Sequence, residues 1–246
     1  MRQVVQRLRL LFDIRVGSPA KAKQEILMSG MRLSIRVWDV PVRLVHWLLV
    51  VLVAASYVTA HFGWIELHFY SGYGILTLLL FRLVWGVVGS DTARFRNFLV
   101  SPIAGLVHLS HLGRREPDNQ IGHNAAGGWM VLFMLALLLV QAGTGLFSRD
   151  DISSEGPLAH YISADASDRI TSLHAFNFNL ILAAIGLHIL AILAYAGFKR
   201  HDLIKPMVTG KKRLPAATKP PRIASSLLAF LVFLCAAGLV ALLSLQ

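Results

Sequence analysis

The sequence predicts an all-α fold, an integral membrane helix bundle with a four-helix core and a fifth transmembrane helix near its C-terminal end. Three observations carry this. Of 246 residues, 55% are hydrophobic and 15% charged, with a mean hydropathy of +0.60; a soluble domain carries about 25% charged residues. Five apolar runs approach the roughly 20 residues that cross a bilayer as a helix. Lys and Arg gather in the segments between those runs, so the net charge of +11 describes topology rather than a nucleic-acid surface.

Residues 1–30 are basic and mildly amphipathic. Their apolar stretch is too short to span, and no small-residue cleavage site follows it, so a signal peptide is not expected. Met31 is an equally sensible start. The first span is expected at residues 44–63, after RVWDVPVRLVHW, with Trp38 and Trp47 suited to an interfacial belt. The second runs over 68–88, after a short turn around Trp64 and Glu66. The third covers 125–147, the fourth 172–195 and the fifth 223–245. The domain division that follows is 1–30, a basic extension; 31–212, the four-helix core; and 213–246, a linker and the last helix. Gly72, Gly74, Gly86, Gly143 and Gly145 suit either close helix contact or close cofactor approach. Cys235 lies inside an apolar run, and there is no CxxC or CxxCH, so neither a zinc site nor covalent haem attachment is indicated.

Loop charge gives the orientation. One side collects nine Lys/Arg before residue 44, four between spans two and three, and eight between spans four and five. The other side has only Arg149 and Arg169. The N-terminus is therefore expected in the cytoplasm and the C-terminus outside. The external loop 148–171 is acidic, with Asp150, Asp151, Glu155, Asp165 and Asp168.

The fourth span carries His174 and His188. Fourteen helical residues rise roughly 21 Å and return to nearly the same face. Imidazoles in a bilayer need a partner inside the bundle, and haem iron takes histidine there. Span direction assigns depths: His46 and His188 lie toward the cytoplasm, His68 and His174 toward the outside. Two depth-matched pairs are expected, His46 with His188 and His68 with His174. Such pairs hold six-coordinate, non-covalent b-type haem, which favours electron transfer over oxygen chemistry.

Other residues compete or assist. His61 is an alternative to His68 at the outer end, or else an interfacial side chain. His123, in GHNAAGGW, is expected at the interface or against a haem propionate, with iron ligation the lesser alternative. Arg43, one turn before His46, and Arg82, within the second span, suit propionates; Arg43 also reads as a positive-inside anchor. His108, His111, His160 and His201 are expected in solvated loops.

The stretches RVWDVPVRLVHW, SGYGIL, FRLVWGVVGS, GHNAAGGWMVL, QAGTGLF and LHAFNFNLILAAIGLHIL occur in order. They resemble the bacterial cytochrome b561 family, which includes the cytochrome b subunit of nickel-iron hydrogenases. The resemblance covers about residues 36–212. It implies two haem b groups held by His46, His68, His174 and His188, in the bacterial inner membrane. It also implies electron passage between the quinone pool and a periplasmic partner, such as a c-type cytochrome or a hydrogenase-like subunit. The fifth span matches hydrogenase-type members. Two alternatives stand beside it: a self-contained oxidoreductase passing electrons from superoxide or another small reductant to quinone, and a haem-free transporter or assembly factor.

Overall fold

The computed structural model describes residues 31–110, 113, 117–149 and 154–246. The basic extension 1–30, His111, Arg114, Arg115, Asp150 and Asp151 lie outside the described residues.

Among the described residues, five helices are long and apolar enough to cross a membrane, and the fold is an all-α membrane bundle. The first, α1 (Val40–His61), starts where the Asp39 side chain accepts the Val42 N–H at 2.8 Å, with a proline in the first turn. Gly63, at φ +69°, turns the chain into α2 (Ile65–Val88), which packs antiparallel on α1. Two short helices, α3 (Phe95–Phe98) and α4 (Pro102–Ser110), lead to α5 (Ala125–Gly145). Asn124 caps α5 through the Gly127 N–H. The fourth crossing, α6 (Ala164–Ala194), is capped by Ser163. A short α7 (Ile204–Thr209) and the final α8 (Ser226–Leu243) follow.

Two features depart from the sequence expectation. α6 begins eight residues before the expected span, so Asp165 and Asp168 stand on its first turns rather than in a loop. The segments flanking the bundle also form an antiparallel ribbon. β1 (Arg32–Arg36) pairs with β2 (Lys211–Pro215), Leu33 opposite Leu214 and Ser34 opposite Arg213. Gly210, at φ +76°, ends α7, and its carbonyl accepts from Val37 and Trp38. A side chain there would strike the Trp38 carbonyl.

The bundle therefore has a ribbon side and an opposite side. On the ribbon side Ile35, Val37, Trp38, Val42, Trp85 and Leu214 form one core with α8. In mid-bundle, Leu49, Leu52 and Val53 of α1, Ile75 and Leu79 of α2, Leu135 and Leu138 of α5, and Ile181 and Ala184 of α6 form a second. α5 and α6 are tied at bilayer depth by Asn177, whose amide donates to the Leu137 carbonyl at 3.0 Å and to Gln141 at 2.7 Å. The outward faces are exposed and apolar, as at Val51, Leu190 and Leu242, which suits contact with lipid.

Candidate functional site

The α6 histidines face one direction and each meets a ring from another helix. On the ribbon side the His46 and His188 ring centroids are 6.5 Å apart, their planes 56° from parallel. On the opposite side His68 and His174 are 6.2 Å apart, nearly perpendicular at 81°. The mid-bundle aliphatic layer lies between the two pairs. A metal bound between two imidazoles takes up two bonds of about 2 Å, and each ring nitrogen sits about 1.1 Å from its centroid, so a shared ion needs about 6.2 Å. The His68–His174 spacing equals that value and the His46–His188 spacing is 0.3 Å longer. Among the described residues, no three His, Cys, Asp or Glu side chains converge as a metal site. The rings meet two by two, which suits an ion whose other ligands come from a macrocycle.

Each pair has its own surroundings. His68 Nδ1–H donates to the Ser56 carbonyl at 2.9 Å, and the Ser56 hydroxyl lies 3.4 Å away. His174 Nδ1 is 3.1 Å from the Thr144 hydroxyl. Both contacts leave Nε2 for another partner. A side chain at Gly145 would press on His174 Cε1 at 3.1 Å, so glycine there lets the ring sit against α5. Gly72 and Gly143 border open space, while Gly86 receives the Phe95 ring and Gly74 sits beside Leu52. On the ribbon side, His46 Nδ1 is buried without a hydrogen-bond partner.

The accessory residues sort differently. His61 contacts Tyr57 and Phe62, at 6.0 and 5.2 Å between centroids. Arg43 donates to the backbone carbonyls of Asp39 and Val208, tying α1 to α7. Arg82 is only 5% exposed; its guanidinium lies 4.9 Å from the Phe95 ring centre, and Nη1 is buried without a partner. His123 is wedged against Trp38 and Phe98, each 4.6 Å away, and its Nδ1 is likewise buried and unpartnered. Burial, helped by the nearby Arg82 cation, pushes its pKa down to about 3. Two orphaned nitrogens, on Arg82 and His123, suit an oxyanion such as a propionate. His108 is not a free loop residue: its Nε2 meets the Tyr195 hydroxyl at 2.8 Å, and Asn124 donates to the same oxygen. His160 packs on Tyr161, and His201 lies near Tyr195 and Asp118.

Paired imidazoles at bilayer depth are the arrangement of a membrane b-type cytochrome, a class that carries electrons through bound haem. The family model for prokaryotic cytochrome b561 matches residues 37–210, and the chain belongs to that family. It is a multi-pass bacterial membrane protein, binds haem b and acts in electron transfer. The haem-free alternative is thereby set aside. No curated protein matches the chain.

Ser56 and Thr144 were missed by the sequence reading. Ser56 meets the His68 ring through its carbonyl, which no side chain advertises. Thr144 lies inside the quoted QAGTGLF, at His174's depth, and that coincidence was its available signal.

Proposed function

We propose that this chain is a dihaem cytochrome of the inner membrane that passes electrons between the quinone pool and a periplasmic redox protein. His46 with His188 holds one haem and His68 with His174 the other. The ribbon side, with its basic segments, faces the cytoplasm, and the C-terminus faces the periplasm. The observation that carries this is the pair of ring spacings, 6.5 and 6.2 Å, at opposite ends of one helix.

Haem supplies an iron that gains or loses one electron. The protein does the rest. His46 with His188 and His68 with His174 would each hold an iron through two imidazoles, a donor set that would favour electron transfer over oxygen chemistry. Arg82 and His123, with Arg43 at the same end, receive propionates on the ribbon side. The aliphatic layer keeps water from the space between the two haems. The acidic segment 148–171 offers a partner with basic residues a complementary surface, at Glu155 and Asp165, with Asp168 already paired to Arg149.

Purified chain is expected to carry two b-type haems. His174→Ala is expected to keep one. Retention of both by that variant sinks the ligand assignment.

A further inference from the structure

The two ring pairs differ in the hydrogen bonds that their imidazoles make. On the opposite side both rings are engaged at Nδ1. His68 donates to the Ser56 carbonyl at 2.9 Å, an acceptor that no tautomer can turn into a donor. The Thr144 hydroxyl directs its own proton to the Val140 or Gln141 carbonyl, at 2.7 and 3.0 Å. Its oxygen is then free to accept from His174 Nδ1–H at 3.1 Å. On the ribbon side His46 Nδ1 is buried unpartnered, and His188 makes no hydrogen bond among the described residues.

An imidazole that gives its N–H to an acceptor becomes more electron-rich at the other nitrogen and a stronger ligand. The oxidised iron, carrying more charge, gains most from a stronger donor. A hydrogen-bonded pair therefore lowers the potential of the iron it holds, and second-shell hydrogen bonding is a recognised lever on haem potential. Fixed charge acts in the same direction. The buried Arg82 and the basic segments stand at the ribbon side and favour an added electron there. At the other end Asp165 stands on the first turn of α6, while the Asp168 charge is offset by Arg149, 2.7 Å away.

Resting on the histidine assignment above, we infer that the Ser56 carbonyl and the Thr144 hydroxyl set the opposite-side haem below the ribbon-side haem in potential. An electron delivered to the chain settles at the ribbon side. Any electron that moved between the sites would oxidise one iron as it reduced the other, one for one. Thr144 is thus a positioning residue that tunes potential through His174.

The test is a spectroscopic redox titration of the purified full chain with haem content measured in parallel. The wild type should resolve two components. Thr144→Val should shift the lower one upward and leave the higher one in place, with two haems retained; Thr144→Ser should restore the wild-type curve. Ser56→Ala, which keeps the carbonyl, should hold the lower component near its wild-type position. Two unmoved components in a fully loaded Thr144→Val chain overturn the inference, as does movement of the higher one alone. Single-haem variants give a second check if Thr144→Val sheds haem. The haem left in His188→Ala should titrate below the one left in His174→Ala, and the reverse order overturns the inference. Failure of the ligand assignment looks different: the wild type lacks two haems, or the histidine variants keep both.

Discussion

Trp85 donates its indole N–H to the Asp39 carboxylate at 2.9 Å, and the other oxygen of that carboxylate caps α1 through the Val42 N–H. Asp39 is 1% exposed and Trp85 is fully buried. One side chain thus starts the first crossing and locks it to the end of the second. Asp39→Ala should remove a cap of about 1 kcal/mol and a hydrogen bond to a charged acceptor of about 1.5–3 kcal/mol. The midpoint of heat denaturation in detergent should fall clearly. Asp39→Asn keeps an acceptor for the cap and should fall less.

Haem stoichiometry separates the competing histidines. His46→Ala or His188→Ala should each remove one haem, and His68→Ala or His174→Ala the other. A variant combining His174→Ala with His188→Ala should bind neither. His61→Ala should retain two, because its ring contacts are Tyr57 and Phe62. Visible spectra and a haem assay on the same preparations decide the matter.

In the haem-free chain, where no propionate meets it, His123 should make stability pH-dependent. Its folded pKa is pushed down to about 3, below the ordinary 6.5. Between those values the unfolded chain binds the proton and the folded chain does not, so stability rises with pH. Its contribution is fully present above about 6.5 and declines on acidification; at pH 5 about 2 kcal/mol is lost. His123→Phe keeps a ring between Trp38 and Phe98 and should flatten the acid limb of the curve of heat-denaturation midpoint against pH. An unchanged limb would count against a neutral, buried His123.

The ribbon should be separable from the haem sites. Leu214 is fully buried against Ile35 and Val37. Leu214→Ala should cost about 2–4 kcal/mol locally and open the ribbon before the bundle. Limited proteolysis near residues 211–215 should accelerate while haem content holds.

Much of this was readable in the sequence because bilayer length and residue depth are one-dimensional properties. A helix rises by a fixed step, so His174 and His188 had to sit near opposite edges, and alternating span direction put His46 and His68 at matching heights. What escaped was non-local or silent to hydropathy. RLSIR and KKRLP are too short and too charged to announce strands, and their partners lie about 180 residues apart. ADASDRIT is polar, so hydropathy stopped at residue 172, although Ser163 supplies a good helix cap. Arg43 was legible as a cation near His46, but its donation to the Val208 carbonyl depends on where α7 folds back.

The ribbon also has a consequence in time. Its first strand is complete at Arg36 and its second begins at Lys211, so at synthesis rates of about 5–20 residues per second the first waits on the order of 10–35 s for its mate. All four ring-bearing positions have left the ribosome by then. A nascent chain that stalls earlier keeps an unpaired strand edge, so closure of this latch marks a polypeptide whose cofactor-holding helices have all been made.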